Sequence, residues 1–307
     1  LRGVQACANF ADTLGVSIPV GKDSLSMNVA WKEGTKIKSV RSPMTLNVSS
    51  FSNVRDLRKS VTPKLSKKDS LLLHLWTNKS DFRMGGSCLY QSYRLFGGPT
   101  PDIDDPNLFK ALFETVQELL TKKHILALHD ISDGGLLVAL FEMALCSNQG
   151  IDLDLNLSDK EKIIPKLFSE ESGLVIEVEK NNLPSIKDKL SEKGIFFDEI
   201  AQKNNEQQLR VKNFNEVLFE EEIYKLYDYW DDVSFKIQAQ RDNPETASSE
   251  RKAFKKFDRF LTPRINFDIP EITQKLFSSK PKIALLREQG INGHYDMAAA
   301  LMAAGFE

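Results

Sequence analysis

The sequence predicts a mixed α/β or α+β protein, and three observations carry that expectation. Short apolar or alternating runs at residues 71–75, 125–128 and 173–179 have the length and period of strands. Between them, apolar residues recur at helical spacing, as in Phe109, Leu112, Phe113, Val116, Leu119 and Leu120. Strands alternating with helices over residues 68–215 imply a sheet covered by helices, and 307 residues at 41% hydrophobic content suffice for two domains or one domain with attachments.

Residues 2–14 read as a helix closed by Gly15, and residues 16–20 as a strand running into the turn Gly21-Lys22-Asp23-Ser24. In that turn a Lys ammonium can meet a phosphate and Asp a metal or a sugar hydroxyl, although such turns are also ordinary solvated loops. Residues 42–51 alternate through Thr45, Val48 and Phe51 and predict a half-solvated strand. The polar stretch 57–69, with Pro63 and several lysines, reads as a domain boundary. After the strand at 71–75, Met84-Gly85-Gly86-Ser87 precedes a helical run at 89–96 that Gly97-Gly98-Pro99 ends. Those small residues suit either close approach of a ligand or a packed loop.

Asp105 as cap and Pro106 at the first helical position start a helix whose apolar stripe is core. A strand at 125–128, a helix to Ser147, a strand at 151–155, a strand at 173–179 and a helix at 183–190 stopped by Gly194 follow. Residues 217–230 read as an acidic helix and 234–240 as a further amphipathic piece. Residues 241–281, turned by Arg241-Asp242-Asn243-Pro244, read as a partly ordered linker. An apolar run at 283–286, a loop at 287–293 and a helix at 294–304 closed by Gly305 predict the first strand-loop-helix unit of a doubly wound domain.

Charge and cysteine use exclude several function classes. With 41 basic and 43 acidic residues the net charge is −2 and no basic stripe is present, so nucleic acid is not an expected partner. Cys7, Cys88 and Cys146 lack CxxC spacing, which argues against disulfides and zinc, favours packing over nucleophilic roles, and predicts a reducing, cytoplasmic setting. No apolar run has the length of a membrane span and no signal segment opens the sequence. The opening inside a helical pattern and the end after Gly305 suggest a piece of something longer.

The stretch with most chemistry is His129-Asp130-Ile131-Ser132-Asp133-Gly134-Gly135, where a strand turns into a helix. A helix start offers N–H groups and a dipole that attract anions, while glycines permit close approach. Asp130 is the candidate Mg²⁺ ligand, because Mg²⁺ takes oxygen donors and shares them with phosphates, and Ser132 either binds a phosphate or caps the helix. Ser and Asp are also ordinary caps, and His129 beside an apolar strand is more simply a hydrogen-bonded core residue.

Six segments in order resemble the large, multidomain form of the phosphoribosylformylglycinamidine synthases. They are residues 18–27, Ser42-Pro43-Met44, residues 129–137, Phe168-Ser169-Glu170-Glu171, Gln240-Arg241-Asp242-Asn243-Pro244 and residues 286–293. The resemblance implies an aminoimidazole ribonucleotide (AIR) synthetase-like fold of two halves, with the end of an N-terminal half of the second repeat at 1–66 and its C-terminal half at 67–216. A helical and extended linker at 217–280 and the start of a class I glutamine amidotransferase (flavodoxin-like) domain at 281–307 would follow. It implies a ligase of purine biosynthesis that uses ATP, glutamine and formylglycinamide ribonucleotide, with Asp130 binding Mg²⁺, Ser132 the ATP or ADP, and Lys22 and Asp23 close to the nucleotide. The glutaminase nucleophile would fall beyond Glu307, so no catalytic residue is expected here and the chain alone is expected to be inactive. The alternatives are another ATP user of the same fold, such as selenophosphate synthetase or thiamine-phosphate kinase, and a structural half braced by its nucleotide.

Overall fold

A computed structural model describes the chain apart from residues 1, 20, 22–26, 44, 55, 80–81, 256–263, 265, 267–278 and 288–292. Contacts divide the chain into two compact units, residues 1–247 and 248–307.

The first unit opens with α1 (Arg2–Leu14), which Gly15 ends at φ +73°. An antiparallel hairpin follows, β1 (Asn28–Glu33) and β2 (Lys36–Arg41), with Gly34 at φ +64° in its turn. The strands expected at 16–20 and 42–51 do not form: among the described residues, 16–19 and 45–51 are exposed and have no ladder partner. Alternation supplies a face but no neighbour, and the hairpin signal lay instead in Gly34-Thr35 between two β-prone runs.

The remaining elements of this unit are β3 (Ser70–Trp76), α2 (Cys88–Ser92), α3 (Pro106–Thr121), β4 (Ile125–Asp130), α4 (Gly135–Ser147), β5 (Gly150–Asp154), α5 (Ile163–Phe168), β6 (Gly173–Glu179), α6 (Leu183–Glu192), β7 (Phe196–Asn204), β8 (Gln208–Asn213), β9 (Glu216–Glu222), α7 (Ile223–Arg241) and the start of α8 (Pro244–Lys255). Seven strands form one sheet in the order β4-β6-β3-β7-β5-β8-β9, antiparallel except for the parallel pair β5/β8. The fold is thus α/β with a mixed sheet.

Strand alternation divides the core between two faces. Leu71, Leu73 and Leu75 of β3, with Ile176 and Val178 of β6, pack against Leu112, Val116 and Leu119 of α3 and Ile186 and Leu190 of α6. Their neighbours Leu72, His74 and Trp76 point the other way, toward α4 and α5, where Leu136, Leu140 and Met143 are fully buried. Each such side chain contributes roughly 1.5–3 kcal/mol by leaving water. Phe113 does not join the stripe of α3; it is exposed.

Two segments depart from expectation because of tertiary partners. Residues 217–222 are the edge strand β9 rather than the start of a helix, since β8 pairs with them, setting Arg210 opposite Glu220. Residues 244–255, expected within a linker, form α8, because the Asn243 carboxamide oxygen accepts from the Glu245 and Thr246 N–H groups at 2.9 and 3.2 Å. In the second unit α9 (His294–Ala303) forms as expected and Gly305 follows at φ +96°. Residues 283–286 do not form a strand; among the described residues, Ile283 N–H bonds to the Glu307 carbonyl and Glu307 N–H to the Pro281 carbonyl, both at 3.0 Å. Among the described residues no helix is long and apolar enough to cross a membrane.

Candidate functional site

Asp130 ends β4 at one edge of the sheet, opposite Leu174 of β6. The next residue, Ile131, is buried and donates its N–H to the Gly173 carbonyl at 2.9 Å, so the turn leaves the sheet at a fixed place. Gly134 and Gly135 then take φ +86° and +73°, a region that costs other residues about 1–2 kcal/mol. A Cβ on Gly135 would lie 2.8 Å from the main chain of Leu167 and Phe168. The close approach that this glycine permits is therefore by the protein's own backbone.

That backbone belongs to a strap, residues 168–171, which ties the corner together. One oxygen of Glu170 accepts both the Gly134 N–H at 2.9 Å and the Cys88 N–H at 2.8 Å. The buried Glu171 carboxylate engages the Arg83 guanidinium through Nε and Nη2, and Arg83 also reaches Asp104 at 2.9 Å. Glu171 is the main cause that raises the Arg83 pKa above its ordinary value. Ser169 Oγ donates to the Arg83 carbonyl at 2.7 Å. The loop of Gly85, Gly86 and Ser87 thus meets the Asp130 corner through Glu170, with Gly85 itself against Gly98 and Pro99. Sequence reasoning quoted Glu170 and Glu171 but gave them no role, since nothing local tells a carboxylate which distant N–H it will meet.

Asp130 and Ser132 are both exposed at this corner. The Asp130 side chain is 69% exposed, so its carboxylate is not sunk among apolar groups. No side chain caps α4, whose N-cap is Gly134; Ser132 contributes its carbonyl to the Gly135 N–H at 3.0 Å. The capping role considered for Ser132 is absent, which leaves its hydroxyl to another partner. Behind Asp130, His129 places Nδ1 2.7 Å from the Asp130 carbonyl oxygen and 3.5 Å from its carboxylate. Its Nε2 lies 3.0 Å from Glu142. The Lys22 and Asp23 turn lies outside the described residues.

The donor set at Asp130 and Ser132 is hard oxygen, which fits Mg²⁺ completed by water and phosphate. A second set, the Cys88 thiol with the Asp133 and Glu170 carboxylates within 4.8 Å of one another, fits it less well. Burial and then Glu170 push the Cys88 thiol up, away from the thiolate that a metal needs. A cleft of about 470 Å³ lies between α1 and α3, lined by Cys7, Phe10, Leu46, Val48, Ile103 and Pro106, and includes none of the corner residues.

Residues 1–53 match the family model of the FGAR-AT PurM_N-like domain, and residues 74–212 that of the AIR synthase related protein, C-terminal domain. The chain belongs to the phosphoribosylformylglycinamidine synthase family. Solved structures similar to this chain include T. maritima PurL complexed with ATP, at 16% identity and a TM-score of 0.51, covering 72% of this chain and 34% of that one. T. maritima PurL complexed with FGAR is 18% identical with a TM-score of 0.51, covering 71% and 36%. The same protein complexed with ADP covers 98% and 41%, at 14% identity and a TM-score of 0.50. At these identities the likeness shows the fold, and the chain spans about a third of the first of these structures.

Proposed function

We propose that the chain is part of an ATP-dependent ligase of de novo purine biosynthesis. It would convert formylglycinamide ribonucleotide, glutamine and ATP to the amidine, glutamate, ADP and phosphate. The observation that carries this reading is the order of the two domain matches: an FGAR-AT PurM_N-like domain directly ahead of an AIR synthase-type C-terminal domain. Another ATP user of the same fold has no reason to carry the first of them. Relatives of the same fold solved with ATP, ADP and FGAR support the nucleotide and the substrate.

In this reading the substrate amide oxygen takes the phosphoryl group of ATP, and ammonia from glutamine then displaces phosphate. Asp130 would offer a carboxylate to the metal and Ser132 its hydroxyl to a phosphate oxygen, and the family resemblance assigns Lys22 and Asp23 to the nucleotide as well. Bound Mg²⁺ would supply charge neutralisation at the phosphates. Residues 281–307 are read as glutaminase-like, and helix α9 is the element that supports this reading.

Asp130→Asn tests the site. Mg²⁺-dependent ADP binding by this chain, measured by calorimetry, is expected to fall at least tenfold, and turnover to collapse in a synthase containing the variant while its melting temperature holds. A variant that melts earlier but turns over normally would mean that the nucleotide only braces the fold.

A further inference from the structure

Glu142 projects from α4 and uses both carboxylate oxygens toward different elements. Its Oε1 accepts the indole N–H of Trp230 on α7 at 3.0 Å, and its Oε2 lies 3.0 Å from His129 Nε2 on β4. The opposite ring nitrogen of His129 faces the Asp130 carbonyl at 2.7 Å and its carboxylate at 3.5 Å. Three side chains from three elements, Trp230, Glu142 and His129, therefore form one line from α7 to β4, and the ring at its end meets the Asp130 main chain with the Asp130 carboxylate close by. The middle of the line is its most sheltered part: His129 and Glu142 are 14% and 24% exposed, whereas the Asp130 carboxylate at its end is mostly in solvent.

We propose that Glu142 is a positioning residue for Asp130, with Trp230 holding it from α7, and that it sets the direction in which the Asp130 carboxylate is presented. A solvent-facing Asp at a strand end has several rotamers open to it, and a ring fixed against its carbonyl and carboxylate restricts that choice. Fastening α7 to α4 does not by itself require this arrangement. The Tyr224 hydroxyl already joins α7 to Asn148, just past α4, at 2.8 Å, so the second Glu142 oxygen is left for His129. The inference rests on Asp130 as the metal ligand proposed above.

The test is calorimetry of ADP binding to the 307-residue chain as Mg²⁺ is varied. Glu142→Gln keeps the shape and an acceptor for Trp230 but sets an amide opposite His129. It is expected to weaken the apparent Mg²⁺ affinity by about 10–100-fold, the range for groups that orient metal ligands, while ADP binding without Mg²⁺ stays as in the wild type. Trp230→Phe should shift it the same way by a smaller factor. Tyr224→Phe, which removes the hydroxyl bond to Asn148 between the same helices, should leave Mg²⁺ affinity unchanged even if melting is lowered. Wild-type Mg²⁺ affinity in Glu142→Gln overturns the positioning role, as does an equal effect of Tyr224→Phe. If Glu142→Gln does not fold, Trp230→Phe at its half-exposed position decides by the same criterion. Wild-type Mg²⁺ dependence retained in Asp130→Asn, or no Mg²⁺-dependent ADP binding by the wild type, removes the metal-ligand reading and this inference with it.

Discussion

Gly134 and Gly135 share a left-handed backbone, but their surroundings differ. A Cβ on Gly134 would meet the Val138 side chain at 2.4 Å, and a side chain can turn aside. A Cβ on Gly135 would meet the main chain of Leu167 and Phe168, which cannot retreat without pulling Glu170 from Gly134. Gly135→Ala should therefore cost about 2 kcal/mol or more, above the left-handed penalty of roughly 1–2 kcal/mol that both variants carry. Urea denaturation of the two variants checks this, and equal losses would mean that the strap yields. The glycine pair was legible in the sequence, but its reason was not, because spacing cannot tell a ligand from a distant backbone. Ser132 shows the same limit: a serine ahead of a helix reads as a cap, and the tight turn put Gly134 at that position instead.

Elements whose signals are local were read well. The Asp105 carboxylate accepts from the Asn107 and Leu108 N–H groups at 3.0 and 3.1 Å, with Pro106 at the first position of α3. Asp105→Ala should lower stability by about 1 kcal/mol; a thermal melt followed by circular dichroism measures it, and no change would mean that Pro106 alone sets the start. The same grammar stands at Asn243-Pro244, where it starts α8, yet the polar, proline-marked surroundings made it read as a turn in a linker. For β9 no local signal existed. Its acidic composition, with Glu216, Glu220, Glu221 and Glu222, suits an exposed helix face as well as an edge strand, and pairing with β8, which sets Arg210 opposite Glu220, decided the matter. Here Arg210 meets Glu220, Asp152 and Glu206.

Across the whole molecule, two ionisable groups buried beneath α4 and α5 tie stability to pH. His74 is enclosed between Trp76 and Phe82, and burial, followed by the nearby Lys166 ammonium, lowers its pKa well below 6.5. The unfolded chain takes up this proton near pH 6.5 and the folded chain does not, so stability is complete above that pH. As pH falls below it, up to about 1.4 kcal/mol is lost per pH unit. Glu177 extends the effect on the acid side. Burial alone would raise its pKa, but donors on Lys203, Ser70 and Ser66 outweigh burial and lower it, so its contribution is lost as pH falls below about 4.5. Urea titrations at pH 7.5 and 5.5 should find a smaller loss in His74→Leu than in the wild type; equal losses would show that His74 is not held neutral.

The sequence by itself determined the start of α3, the buried central strands and the strand-to-helix corner carrying Asp130 and Ser132. Each of these depends on residues within a turn or two of one another. Tertiary structure decided the strand order, the partners of Glu170, Glu171 and Glu142, and the conversion of residues 216–222 to a strand. Those outcomes depend on which backbone or charge arrives from far along the chain, and a carboxylate has the same appearance in a sequence whether it will meet a helix start, a guanidinium or water.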